Sequence, residues 1–136
     1  MLKKNSFIPF KEQLSFEERK RKAEELLSTY PERIPMIIEK DRTLLEKERS
    51  EENTNEKIIP NTTKTKFLIS KTDIVDNIII LVKNQLQISS EQAIFLLANN
   101  KYALSGNSLM STVYKKYKDE DGFLYLTFVF ESVWGC

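Results

Sequence analysis

Few residues of this 136-residue chain are of the types that do chemistry. Histidine is absent, the single cysteine is Cys136, and the three glycines stand far apart at Gly106, Gly122 and Gly135. Without His there is no Ser/His or Cys/His pair to activate a nucleophile, and no His/Cys cluster to hold zinc. Glycines so scattered write neither GxGxxG nor GxxxxGK[ST], the backbone cradles for dinucleotides and nucleotide phosphates. An enzyme is therefore disfavoured, and no cofactor or metal is expected. The terminal pair Gly135–Cys136 is what remains. Taken alone, Gly135 reads as a flexible terminal residue. Cys136 reads as a free thiol; S-acylation stays open, whereas prenylation of a CaaX box would need three residues after the cysteine.

Partners are narrowed by charge. Lys plus Arg number 21 and Asp plus Glu 20, so 21 − 20 gives +1, and no excess of charge points to nucleic acid or to an acidic membrane surface. Hydrophobic residues make up 40% of the chain, with eight Phe and five Tyr, enough to close one small core. The longest aliphatic run, Ile78 to Val82, falls far short of the ~18 to 20 residues of a bilayer span. The start, MLKKNSFIPFKEQL, lacks the apolar stretch of a signal peptide. A cytoplasmic single domain is the expectation.

The elements that must position any site follow from periodicity. Phe16, Ala23, Leu27 and Tyr30, widened by Leu26, recur at helical intervals; Ser15 and Glu18 write a capping box, and Pro31 stops the helix. Arg33 to Glu39 is a β-branched cluster and reads as a buried strand, with Pro35 awkward inside it. Asp41 to Thr63 is polar almost throughout and reads as a long mobile insertion. Lys66 to Ser70 is a second strand, with Phe67 and Ile69 on one face and Lys66 and Leu68 on the other. Thr72 is expected to cap a helix whose Val75, Ile78, Ile79, Val82 and Leu86 form one stripe. Ala93 to Leu97 is a short strand ended by Asn99–Asn100; Met110, Val113, Tyr114 and Tyr117 mark a short helix; Leu124 to Phe130 alternates as the clearest strand. The order predicts an α+β ubiquitin-like β-grasp: a four-stranded mixed sheet and two helices, with the last strand parallel to the first. Residues 1–30 form an N-terminal helical extension, 31–130 the domain with its loop at 41–63, and 131–136 a flexible tail.

Five strings then become informative together: YPERIPMIIEK (Tyr30 to Lys40), KFLI (Lys66 to Ile69), AIFLLANN (Ala93 to Asn100), MSTVYKKYKDEDGFLYLTF (Met110 to Phe128) and ESVWG (Glu131 to Gly135). In this order and spacing they resemble the autophagy ubiquitin-like modifiers of the GABARAP and microtubule-associated light-chain type, over nearly the whole chain from Phe10 onward. The resemblance implies a substrate of enzymes, not an enzyme. A cysteine protease would cut after Gly135 and remove Cys136. E1-like and E2-like enzymes would then pass the Gly135 carboxyl along as thioesters, ending as an amide on phosphatidylethanolamine. Glycine suits that passage, because it has no Cβ to block a narrow channel. The implied protein is cytoplasmic, and on the autophagosomal membrane when lipidated, with no role for nucleic acid. A non-conjugated soluble adaptor of the same fold is the alternative, differing only at the tail.

The resemblance also implies recognition of cargo receptors and adaptors through aromatic-x-x-aliphatic motifs added as a strand beside the second strand. By position, the aromatic's pocket maps to Leu26, Pro35, Ile37, Leu68 and Phe123 with Lys66 at its rim, and the aliphatic's to Phe67, Ile69, Ile78 and Leu81. Arg33, Lys64 and Lys66 would attract the acidic flanks of such peptides. On periodicity alone Ile37, Ile69 and Ile78 read as core, and Lys64 and Lys66 as edge lysines that deter sheet-to-sheet pairing. Three positions depart from the family's pattern: Lys22 where an acid is common, Ser70 where a proline closes the strand, and Gln85 where a basic residue is common.

Overall fold

In the computed structural model, which describes residues 9–40 and 66–131, the β-branched cluster after Pro31 becomes the strand about which the sheet is built. This strand, β1 (Arg33–Lys40), pairs antiparallel with β2 (Lys66–Ser70), Ile34 opposite Ile69 and Met36 opposite Phe67. On its other side it runs parallel to β5 (Leu124–Phe130), Met36 opposite Leu124. β5 in turn pairs antiparallel with β3 (Ile94–Ala98). The hairpin and the central parallel strand are those predicted, but the sheet has five strands and not four. Asn99 and Asn100 take left-handed backbone (φ 55° and 60°), and the tight reversal sets β4 (Tyr102–Ala103) against the outer edge of β3. Among the described residues the order is β2-β1-β5-β3-β4, with β2 as one edge. The loop 41–63 lies outside the described residues.

Pro35 sits third in β1, buried and opposite Leu68. The Lys71 N–H donates to the Glu32 carbonyl (3.1 Å), so antiparallel alternation puts the bonded pairs at Ile34/Ile69 and Met36/Phe67. The nitrogen of Pro35 therefore faces away from β2, and pairing with β5 starts one residue later. No ladder bond is lost to the proline.

The sheet carries helices on both faces. On one, α3 (Val75–Gln85) and α4 (Met110–Tyr117) bury Val75, Ile78, Val82, Leu86, Met110 and Val113 against Ile34, Met36, Ile38, Leu124, Leu126 and Phe128. The predicted stripe is the buried one, with Ile79 half-covered at its margin. Thr72 does not cap α3. The N-cap is Ile74, with no side-chain bond; the helix start is held instead by backbone, Val75 N–H to the Ser108 carbonyl (3.0 Å) and Asp76 N–H to that of Gly106 (2.9 Å).

On the other face lie α1 (Phe10–Gln13), a single turn that no periodicity signals, and α2 (Phe16–Thr29). The capping box is present: Ser15 Oγ accepts from the Glu18 N–H (3.1 Å), and Glu18 Oε1 accepts from the Ser15 N–H (3.2 Å). Glu39 of β1 caps α1, accepting from the Phe10 N–H at 2.8 Å; burial holds its carboxyl above the usual range, partly offset by that bond. The apolar stripe of α2 is narrower than predicted. Ala23 is fully buried and Leu26 half-buried, while Phe16 and Tyr30 at its ends stay 40% and 47% exposed. Among the described residues the cluster under α1 and α2 holds four buried apolar side chains, Phe10, Ala23, Ile37 and Phe123, against sixteen in the cluster on the other face; Leu97 and Val129, which alternation puts on the α2 face, are buried outside both clusters. The cluster under α1 and α2 is the smaller one, at about 1.5–3 kcal/mol per large side chain.

Gly122, in the turn before β5, packs closely under Ala23 of α2. Its φ of +97° is left-handed, and a Cβ there would lie 2.8 Å from the Ala23 Cβ. Gly122→Ala should therefore lower the unfolding free energy by about 2–3 kcal/mol, from backbone strain plus the push on α2. Urea denaturation checks it, as a lower midpoint at unchanged slope.

Candidate functional site

A cleft of ≈ 500 Å³ opens at the β2 edge, lined by Leu26, Lys66, Phe67, Leu68, Leu81, Gln85 and Phe123. It draws on both faces of the sheet because side chains alternate along β2. Lys66 and Leu68 turn to the α2 face, toward Leu26 and Phe123, whereas Phe67 turns to the α3 face, toward Leu81 and Gln85. The same alternation that bonds Phe67 and Ile69 to β1 turns the N–H and C=O of Lys66 and Leu68 outward. One of these is already touched: Arg33 Nη1 lies 3.4 Å from the Leu68 carbonyl oxygen.

An edge with apolar walls on both sides fits one kind of ligand geometrically. In an added strand, residues i and i+2 share a face and residues i and i+3 point to opposite faces. A large side chain at i would meet Leu26, Leu68 and Phe123, and one at i+3 would meet Phe67 and Leu81, while the main chain pairs with the outward N–H and C=O groups of Lys66 and Leu68. Lys66 stands at the rim of the α2 side, exposed, with Nζ 5.5 Å from the Phe10 ring centroid.

The floor of the α2 side is an aromatic cluster. Phe10 meets Phe123 edge-to-face at 5.1 Å, and Tyr125 lies 6.2–6.3 Å from both rings. The cluster is fixed from behind by Asp121, whose side chain is fully buried. Asp121 Oδ2 accepts from Arg19 Nε (2.8 Å) and from the Tyr125 hydroxyl (2.5 Å), and Oδ1 accepts from the Phe123 N–H (2.9 Å). Arg19 continues outward, donating through Nη1 to the carbonyls of Lys11 and Leu14. Its hydrogen bond to Asp121 raises the guanidinium pKa still further, and burial with the Asp121 bond pushes the Tyr125 hydroxyl far above its ordinary range. Both stay protonated as donors. Asp119 one turn away is raised by burial, yet the Lys11 ammonium at 2.8 Å and the Asp121 N–H outweigh that and hold its carboxyl below the usual range. One loop thus ties α1, α2 and β5 together behind Phe123.

A family model described as "Autophagy protein Atg8 ubiquitin like" matches residues 18–135. The chain belongs to the Atg8 family. Autophagy-related protein 8e of Arabidopsis thaliana is 37% identical over 127 residues, 93% of this chain and 93% of that protein. Microtubule-associated protein 1 light chain 3 gamma of Homo sapiens is 28% identical over 131 residues, 96% of this chain and 81% of that one. The crystal structure of Trypanosoma brucei ATG8 matches with a TM-score of 0.76 at 28% identity, over 96% of this chain and all of that one (100%). The protein is therefore an autophagy ubiquitin-like protein of a non-enzymatic modifier family, with the α+β ubiquitin-like fold. No helix among its described residues is long and apolar enough to cross a membrane.

Within this Atg8-family chain, Leu26, Lys66, Phe67, Leu68, Leu81 and Phe123 of the expected site come together at the cleft. Pro35 and Ile37 are buried opposite Leu68 and Lys66 in the ladder, Ile37 in one cluster with Phe10, Ala23 and Phe123. Ile69 and Ile78 are 3% and 1% exposed and belong to the main core, the place that periodicity alone gave them. Arg33 lies at the outer end of the edge; Lys64, Gly135 and Cys136 lie outside the described residues. Gln85 joins the lining beside Leu81, and Lys22 is exposed one turn before Leu26. Sequence reasoning missed the Arg19–Asp121–Tyr125 clip, and no signal within the chain marks it: Arg19 and Asp121 are 102 residues apart.

Proposed function

We propose that this protein is processed after Gly135, is conjugated through it to phosphatidylethanolamine, and then acts as a membrane-tethered scaffold that docks aromatic-x-x-aliphatic motifs of cargo receptors and adaptors during autophagosome formation. The observation that carries the docking half is the open β2 edge with Leu26, Leu68 and Phe123 on one face and Phe67 and Leu81 on the other. Membership of the Atg8 family supports the conjugation half, with a cysteine protease and E1-like and E2-like enzymes as partners. The protein is then cytoplasmic until lipidated and autophagosomal afterwards. Lys66 in the lining and Arg33 at the end of the edge favour peptides with acidic flanks. The intact mass of the protein from membrane and soluble cell fractions tests the reading. The soluble form should lack the mass of one cysteine residue, and the membrane form should carry one phosphatidylethanolamine, an increment that Gly135→Ala abolishes. A membrane-bound protein that still ends in Cys136 without the lipid would sink it.

A further inference from the structure

The sheet edge opposite the groove carries a different kind of surface. Tyr102 of β4 stacks on Tyr117 of α4, with ring centroids 5.9 Å apart and planes at 27°. Lys101 Nζ lies 5.2 Å from the Tyr102 centroid, Lys116 Nζ 5.4 Å from Tyr117, and Lys118 Nζ 5.5 Å from Tyr114. The three lysines are exposed, and Tyr102 is 47% exposed. Among the described residues the ion pairs lie elsewhere: Lys11–Asp119, Arg19–Asp121 and Lys20–Glu24. Two of the three acids in the neighbouring turn, Asp119 and Asp121, are thus taken, leaving only the exposed Glu120 beside Lys115, Lys116 and Lys118. Among the described residues, a chain of net charge +1 thus gathers on one aromatic patch three lysines outside the ion pairs. Lys115 and Lys116 do complement the C-terminal dipole of α4. That role does not account for Lys101, which comes from another element, nor for the exposed Tyr102 ring stacked on the half-buried Tyr117.

We propose that this patch is a contact site for an anionic lipid surface. Its chemistry favours lipid over an acidic protein. All the cations are lysines, flexible point charges suited to a fluid layer of phosphates, with no arginine fork to match one fixed carboxylate. Tyrosine rings with an apolar body and a polar tip partition to the headgroup level. The patch lies within reach of the conjugation tail: Tyr102 faces Ala98, Ala98 faces Leu126, and Phe130 is four residues further along β5. Two strand spacings of about 4.8 Å and four residues at about 3.3 Å each put Tyr102 roughly 16 Å from Phe130, and the five residues Glu131 to Gly135 can span about 17 Å. A lipid on Gly135 would then let patch and anchor meet one bilayer. The proposal rests on the conjugation reading for this tether alone, and the patch is tested without it.

The test is flotation of the unconjugated full chain with phosphatidylserine-rich and with pure phosphatidylcholine vesicles, at low and high salt. The wild type should float with the anionic vesicles only, and high salt should release it. Lys101→Gln/Lys116→Gln/Lys118→Gln should lower partitioning about five-fold per lysine, about a hundred-fold in all. Lys20→Gln/Arg21→Gln/Lys71→Gln, which removes as many charges elsewhere, should change it little. Thermal melting of both variants checks that they fold. Equal losses in the two triple variants, or no flotation of the wild type, overturn the proposal. So does patch-dependent binding of poly-glutamate without vesicle binding, which would assign the surface to a protein partner. Because no conjugate is involved, an inert patch and an absent lipid modification give different results.

Discussion

Asp121→Ala should lower the unfolding free energy by about 3–5 kcal/mol, the cost of leaving one member of a buried ion pair without its partner. The Asp121 side chain is fully buried and that of Arg19 is only 11% exposed, so water replaces the lost carboxylate only in part. Three donors lose their acceptor together: Arg19 Nε, the Tyr125 hydroxyl and the Phe123 N–H. Two of them sit under the floor of the groove, and the third holds α2. The cluster they stabilise is the smaller one, Phe10, Ala23, Ile37 and Phe123, among the described residues. A domain of ordinary stability, about 5–15 kcal/mol, would lose a large share of it. Urea denaturation measures the loss. Hydrogen exchange locates it, since α1 and α2 should lose protection before the β1–β5 pair. Arg19→Met/Asp121→Leu separates cause from coincidence. With both charges gone no ion is stranded, so the double variant should be clearly more stable than Asp121→Ala alone. If the single and double variants are equally unstable, the clip is not what holds the face.

What the sequence made legible was what repeats. β5 was plain because Leu124, Leu126 and Phe128 alternate toward one core, and α3 because Val75, Ile78, Val82 and Leu86 keep helical spacing. α1 and β4 carry too few residues, four and two, for any period to show. Thr72 misled because its type suits a cap, while the bonds at the start of α3 come from backbone far along the chain, at Gly106 and Ser108. The groove was legible only in part. Leu68 and Lys66 could be placed on one face of β2 by alternation, and Phe67 on the other, but alternation does not say which partner each face meets. The positions of Leu26, Phe123 and Leu81 came from resemblance, and the structure brings them to the same cleft. Ile69 and Ile78 mark the limit of such mapping. Ile69 shares its face with Phe67 and Ile78 lies on the inner stripe of α3, so both are absorbed into the main core.

That distinction makes Leu68→Asp the decisive substitution for binding. Leu68 is half-buried at the sheet edge, so an aspartate there can reach water in the free protein, and the fold should tolerate it. Once a peptide covers the groove, the carboxylate is desolvated against an aromatic side chain with no partner in place. The penalty is about 3 kcal/mol or more, which is a loss of affinity of at least about 100-fold. Titration of an acidic aromatic-x-x-aliphatic peptide by calorimetry or fluorescence measures it, with melting temperature as the control for folding. Lys66→Ala should behave differently. Its ammonium sits exposed at the rim, so its removal should cost less, and mainly as a slower and less salt-sensitive association. Ile69→Asp should fail at the earlier step, because a charge placed at a 3% exposed position in the main core destabilises the domain itself. A Leu68→Asp protein that folds and still binds the peptide at wild-type affinity would move the docking site away from β2.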